Sequence, residues 1–339
     1  MVAVKGTLTL PSHKKKGWVP AMVRSSYDTV AVVLERPEHV ALSRMSLPDP
    51  EDDDVVVDIE WSGVSTGTER LLWSGRMPTF PGMGYPLVPG YESVGRISAA
   101  GRNATARIGE RVFVPGARCF GEVKALFGGS ASRVVVPAAR VTTFDDALGE
   151  RGVLFALAAT AYHAIAAEGA RAPDLVVGHG VLGRLIARIT MAIGAPPPVV
   201  WETEPLRRGD GYGYPVVHPD ADTGKSYRSI CDVSGNHELL DTLIARLAPQ
   251  GEVVLAGFYH QRLSFAFPSA FMREARLRVA AEWRQPDLES VCELVRSGRL
   301  SLDGLITNSA DARTAGVAYE TAFNDPTCLK LVLDWSDVS

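Results

Sequence analysis

The chain has 339 residues, 46% of them hydrophobic and 22% charged, with a net charge of −4. That length exceeds what one hydrophobic core usually serves, so about two domains are expected in an ordinary globular chain. Nothing here is basic enough to track a phosphate backbone, which argues against nucleic acid as a partner.

Residues 1–26 show no clear period and read as a leader or tag, with Met22 as an alternative start. They hold the basic triplet Lys14-Lys15-Lys16 but no apolar core of a secretory signal. From Tyr27 the pattern turns to strands. Thr29–Leu34 and Val55–Trp61 are rich in β-branched residues, and Pro48-Asp49-Pro50 with the acidic cluster Glu51–Asp54 makes a solvated turn between them. Further strands are predicted at Tyr91–Ile97, Arg111–Val114 and Ser132–Pro137. Short strands with Gly and Pro between them predict a β-rich first domain over residues 27–153.

At Leu154 the pattern changes. The uncharged stretch Gly152–Ala167 is 16 residues long, too short to cross a membrane comfortably, and reads as a buried Ala-rich helix. Strand Leu175–Gly178 and helix Val181–Ile193 follow. Leu182, Ile186, Ile189 and Ile193 share one face of that helix, Arg184 and Arg188 another, and Gly194 stops it. Then come strands Val199–Glu202 and Tyr214–Val217, strand Ser229–Val233, helix Leu239–Leu247, and strands Glu252–Phe258 and Leu277–Glu282. Alternating strands and helices predict a parallel sheet with right-handed crossovers over residues 154–285. Residues 286–339 hold a helix (Asp287–Ser297), a short strand at Leu305–Ile306, a helix (Ala312–Phe323) and a strand (Lys330–Asp334).

Within the second domain, Gly178-His179-Gly180-Val181-Leu182-Gly183 is a complete G-x-G-x-x-G between a strand and a helix. The first glycine allows the tight turn, the second lets the backbone approach a pyrophosphate, and the third lets helix and sheet pack closely. The pyrophosphate would meet free N–H groups at the helix N-terminus. Glu202 ends the next apolar run, about 20 residues on, where a carboxylate suits the ribose hydroxyls of NAD and repels the extra phosphate of NADP. Asp232 and Ser234, and Gly257 with Phe258, end later strands and face the same crevice. The cysteines Cys119, Cys231, Cys292 and Cys328 lie far apart with no C-x-x-C pair, which fits a reducing cytoplasm and argues against a disulfide framework.

In chain order, Gly63-Val64-Ser65-Thr66-Gly67-Thr68-Glu69, Pro89-Gly90-Tyr91-Glu92, Gly109-Glu110-Arg111-Val112, Thr160-Ala161-Tyr162-His163-Ala164, Cys231-Asp232-Val233-Ser234-Gly235 and Gly257-Phe258-Tyr259 resemble segments of the medium-chain dehydrogenase/reductase superfamily. The resemblance implies an α/β fold: a GroES-like β-barrel catalytic domain, to which the C-terminus returns, and a Rossmann doubly wound parallel sheet. It also implies a homodimer paired through an edge strand such as Leu277–Glu282. Zinc-dependent members hold their metal with a Cys, the His of G-H-E and a further Cys or acid. At those positions this chain has Thr66 (or Ser65), Tyr91 and Ala156, which do not make the three-ligand site zinc needs, so no metal is expected.

A narrower resemblance runs from Ser62 to Gly75 and on through Met77-Pro78 and Phe80 to Glu92. It is to the bacteriochlorophyllide a dehydrogenase family, and it implies NAD-dependent oxidation of a C3 1-hydroxyethyl group to a C3 acetyl group on a tetrapyrrole. On that reading Tyr91, with Thr66 and Ser65 as a hydroxyl relay, stabilises the developing alkoxide and carries its proton. Glu92, Glu69 and His163 are candidate bases. Leu72, Trp73, Met77, Phe80, Tyr85 and Tyr259 are candidate walls of a wide apolar pocket. Peripheral contact with a membrane to collect pigment is compatible with the sequence. Two other readings stay open: a zinc-free quinone or enone reductase, and a nucleotide-binding pigment carrier without turnover.

Overall fold

The computed structural model describes residues 27–79 and 82–338. The leader at residues 1–26 and the pocket candidate Phe80 lie outside them. The first domain is built mainly of strands, with one short α-helix and 3-10 turns between them: β1 (Tyr27–Arg36), β2 (His39–Leu47), β3 (Asp54–Val64), α1 (Thr68–Trp73), β4 (Leu87–Pro89), β5 (Ser93–Ala100), β6 (Arg111–Val114), β7 (Lys124–Leu126), β8 (Arg133–Pro137) and β9 (Thr142–Thr143). Runs of buried valines hold these strands in the core. Val55, Val56 and Val57 on β3 and Val134 and Val136 on β8 are nearly or fully buried in one core.

The second domain follows as α2 (Phe155–Ala166), β10 (Leu175–Val177), α3 (Val181–Ala192), β11 (Val199–Trp201), β12 (Val216–Val217), β13 (Tyr227–Asp232), α4 (Leu240–Arg246), β14 (Leu247–Leu255), α5 (Phe267–Phe271), β15 (Arg276–Val279) and α6 (Gln285–Arg296). The chain closes with β16 (Asn308–Asp311), α7 (Ala315–Asn324) and β17 (Leu331–Asp334).

Three sheets result. One runs β2-β1-β4-β7; a second runs β16-β17-β3-β5-β6-β9, with β8 also on β3; the third is the six-stranded β12-β11-β10-β13-β14-β15. Every pair in the third sheet is parallel. Its order places the first strand of the domain between the second and the fourth, the doubly wound arrangement. Ligands of such sheets bind outside the carboxyl ends of the strands at that reversal, here between β10 and β13.

Several expectations need correction. Strand β2 escapes the sequence pattern because its residues are mostly half-exposed at a sheet edge. Tyr91 precedes β5 rather than lying in a strand. The strand expected at Leu305–Ile306 forms at Asn308–Asp311 instead: Leu305 is core, while the polar Asn308–Asp311 makes an edge strand that needs only one partner, β17. Arg184, on the face of α3 that it shares with Arg188, is buried.

Candidate active site and nucleotide crevice

Strand register assembles the first half of the site. β17 runs antiparallel to β3 with Leu331 opposite Val64, and β5 lies on the other side of β3 with Ser93 opposite Ser62. One end of these three strands therefore carries Ser65, Tyr91, Glu92 and Lys330 together. Glu92 and Lys330 form an ion pair at 2.6 Å, almost wholly shut from solvent, and Lys330 Nζ also donates to the Val64 carbonyl at 3.2 Å. Burial pushes the Glu92 carboxyl above its ordinary range, and the ammonium beside it opposes the shift.

Glu69, on α1, sits one layer further in. Its Oε1 accepts the Ser65 N–H at 3.0 Å and its Oε2 accepts the Tyr319 hydroxyl at 2.7 Å. Burial raises its pKa to about 7. Tyr91 donates its hydroxyl proton to Ser65 Oγ at 2.8 Å, is also hydrogen-bonded with the Thr68 side chain, and stands edge-on to Phe127 at 5.5 Å between centroids. Burial first, and then the Glu92 charge, push the Tyr91 phenol upward, so it is neutral at working pH. Thr66 follows Ser65 and is half-buried. Among the described residues no cluster of three or more His, Cys, Asp and Glu side chains is grouped to hold a metal.

The other candidates from sequence sit elsewhere. His163 Nδ1 lies 2.8 Å from Asp287 Oδ2, tying α2 to the start of α6. No hydrogen bond joins it to the Tyr91 group. Leu72 has no accessible surface and Met77 little; both belong to the barrel core, a correction to their expected place on an open pocket. Trp73 packs on Phe323 at 5.4 Å, and the Tyr85 hydroxyl donates to the Leu72 carbonyl. Lys330, Tyr319 and Thr68 escaped the sequence reading. Lys330 alone left a signal, a lysine inside the apolar run Cys328-Leu329-Lys330-Leu331-Val332-Leu333.

The second half is the glycine-rich turn after β10. Gly178 has φ +103°, left-handed backbone that favours glycine. A Cβ on Gly183 would lie 1.9 Å from the Gly178 carbonyl oxygen, whereas one on Gly180 would meet nothing within 4 Å. The turn is thus closed against the sheet and open on the outer side. There the first-turn amides of α3, at Val181 and Leu182, have no intrahelical acceptor. The Glu202 carboxylate reaches the same turn, accepting the His179 N–H at 3.1 Å and the Glu204 N–H at 2.8 Å. At the end of β13, Asp232 Oδ1 accepts the Ser234 N–H at 2.9 Å, and the Asp232 carbonyl accepts the N–H groups of Ala256 and Gly257 and the Tyr259 hydroxyl. Tyr259 is thereby committed to the strand end rather than to an open pocket. Phe258 is 42% exposed beside it.

Residues 51–146 match the alcohol dehydrogenase GroES-like domain family. The chain is 53% identical to the 2-desacetyl-2-hydroxyethyl bacteriochlorophyllide A dehydrogenase of Rhodobacter capsulatus, over 91% of this chain and 99% of that one. It is 52% identical to the protein of the same name from Cereibacter sphaeroides, over 91% and 98%. Among solved structures it superposes on a short chain alcohol dehydrogenase from E. coli CFT073 complexed with NADH, with TM-score 0.78 and 19% identity over 91% and 99% of the two chains. That likeness is one of fold: a GroES-like barrel joined to a Rossmann sheet.

Proposed function

The chain belongs to the 2-desacetyl-2-hydroxyethyl bacteriochlorophyllide A dehydrogenase family, and from that premise we propose that it oxidises the C3 1-hydroxyethyl group of a bacteriochlorophyllide to the C3 acetyl group, with NAD as hydride acceptor and without catalytic zinc. The observation that carries the mechanism is the Tyr91–Ser65 hydroxyl pair, 2.8 Å apart, backed by the buried Glu92–Lys330 ion pair. The donor set does not suit zinc. Glu69 is committed to Tyr319 and the Ser65 amide, Glu92 is paired to Lys330 through one oxygen while its other oxygen is buried without a partner, and the remaining groups are hydroxyls, so at most one acid oxygen is free where zinc needs three ligands.

The nucleotide fits the turn. Gly180, Val181, Leu182 and Gly183 would take the pyrophosphate on backbone amides, Gly178 and His179, whose own amides are spent on Trp201 and Glu202, would shape the turn, and Glu202 would take the ribose hydroxyls. Asp232, Ser234, Gly257 and Phe258 would line the crevice toward the nicotinamide. When bound, NAD supplies the hydride acceptor. The chain's own residues must take the hydroxyl proton and steady the alkoxide. Tyr91 is poised for this because its proton is already engaged by Ser65 while its oxygen, which Thr68 also hydrogen-bonds, keeps one lone pair for the substrate. A proton arriving from the substrate alcohol displaces the phenol proton to Ser65 Oγ, and Ser65 releases its own hydroxyl proton onward through Thr66 to solvent, so neither a free phenolate nor a charged hydroxyl is left in a site that disfavours both. Thr66 extends the hydroxyl series toward the crevice. Glu92 acts through its neighbour Tyr91 rather than as a base, since Lys330 already neutralises its charge. His163, held by Asp287, is a strut between helices.

We also propose that the protein pairs as a homodimer through β15, the edge of the parallel sheet. Support comes from the apolar side chains left exposed around it, with Val279 74%, Phe267 67%, Phe271 66% and Met272 77% accessible.

The test of the activity is an anaerobic absorbance assay with purified protein, NAD and 3-(1-hydroxyethyl) bacteriochlorophyllide a, with and without a metal chelator. A red-shifted long-wavelength band with NADH formed, unchanged by chelator, is the expected result. No spectral change in the presence of bound NAD overturns the substrate; loss of activity on chelation overturns the zinc-free mechanism.

A further inference from the structure

The glycine-rich turn carries one side chain that the mechanism does not use. His179 has no accessible surface. Its Nδ1 lies 2.7 Å from the Arg207 carbonyl and its Nε2 3.0 Å from the Tyr214 hydroxyl. A carbonyl only accepts, so Nδ1 carries the proton and Nε2 accepts from Tyr214. Burial pushes the ring's pKa down to about 4, so the neutral tautomer with both bonds persists across the working pH range. The ring stands edge-on to Tyr212, at 4.7 Å between centroids, and to Tyr214, at 5.7 Å.

The backbone of the same residue is equally committed. Its N–H donates to Glu202, and its carbonyl accepts Arg184 Nε at 3.2 Å, while the Arg184 guanidinium lies over the Tyr212 ring at 4.9 Å. One residue thus binds three things together: the glycine turn, the carboxylate at the end of β11, and the irregular segment 205–214. That segment has a second tether, from Arg207 Nε to the Pro326 carbonyl at 3.1 Å.

We infer that His179 is a positioning residue for the cofactor, its buried side chain holding the 205–214 segment against the turn, beside the Glu202 that its backbone N–H anchors, in the arrangement that receives the adenosine half of the nucleotide. The inference rests on the reading that this turn binds NAD. Without the ring, ordering of the segment would have to be done by the nucleotide on arrival, and its apparent affinity would fall by the fraction of time the segment is out of place.

The experiment is isothermal titration calorimetry of ADP-ribose, which lacks the nicotinamide, and of NAD into the purified protein. His179→Leu is expected to weaken both by about tenfold or more, the worth of two lost hydrogen bonds. In turnover the KM for NAD should rise more than kcat falls. His179→Asn, whose amide N–H stands near the place of Nδ1–H, should recover part of the loss, and Tyr214→Phe should lose a smaller part. A His179→Leu protein that binds ADP-ribose as tightly as wild type overturns the inference alone. Wild-type protein that binds neither ligand overturns the cofactor reading and this inference with it. If His179→Leu does not fold, the Asn and Phe variants decide: unchanged affinity in both is refutation.

Discussion

Glu69→Gln isolates the energetic cost of the buried acid under the hydroxyl pair. Glutamine has the shape to keep both contacts, its carbonyl accepting the Ser65 N–H and its amide donating to the Tyr319 oxygen, but it cannot ionise. Burial raises the folded-state pKa of Glu69 from its ordinary 4.5 to about 7. At about 1.4 kcal/mol per pH unit, that gap is worth about 3 kcal/mol. The sign follows from which state holds the proton. Below pH 4.5 both folded and unfolded chains are protonated at this site, and no penalty applies. As pH rises from there, the unfolded chain releases its proton while the folded chain keeps it, so stability falls. Above about 7 the folded carboxylate is ionised too and the loss is complete. Urea unfolding followed by tryptophan fluorescence at a series of pH values measures this directly. The stability of Glu69→Gln relative to wild type should rise by about 3 kcal/mol between pH 4.5 and pH 8. Parallel profiles, with a difference that does not change with pH, would refute an ionisable Glu69 at this depth.

Gly183→Ala should abolish NADH binding by calorimetry, because the new Cβ would lie 1.9 Å from a backbone oxygen of the turn, which has no side-chain freedom to yield; retained affinity contradicts the geometry. Lys330→Met strips the Glu92 carboxylate of its partner and should destabilise the protein by about 3–5 kcal/mol near pH 8. Adding Glu92→Gln should restore most of that in thermal melts. Tyr91→Phe keeps the ring and its Phe127 contact; it should lower kcat by about a hundred- to ten-thousandfold while leaving calorimetric NAD affinity in place. Val279→Lys places a charge on the exposed edge strand and should shift sedimentation velocity to a single monomer boundary; an unchanged boundary would move the dimer elsewhere.

The second domain was legible because its signals are local. A strand, a glycine turn and a helix follow one another within residues 175–192, and the acid that serves them ends the next strand. Period and turn chemistry act over the same short range that a reader of the sequence scans. Weaker elements failed for a matching reason. Strand β2 and the polar β16 have half-exposed residues and little alternation, so only their pairing with β1 and β17 makes them strands. The burial of Arg184 was not legible because helical periodicity cannot foresee an aromatic ring, Tyr212, arriving from outside the helix to cover it.

The catalytic half was legible only as a set of residue types. Ser65, Thr66 and Tyr91 can be picked out of the sequence as hydroxyl-bearing residues in two short motifs, but their arrangement cannot. What arranges them comes from far along the chain. Lys330 reaches Glu92 across 238 residues and Tyr319 reaches Glu69 across 250. Neither pairing has a local signature, since each depends on β17 and α7 returning to the barrel. Two acids this deeply buried would be untenable unpaired, so their presence beside an apolar C-terminal strand implies compensating donors. The lysine immediately before that strand is one of them. A lone cation at the start of an apolar run is best read as the counterpart of a buried carboxylate, and here that pair stands beside the hydroxyl proposed to carry the substrate proton.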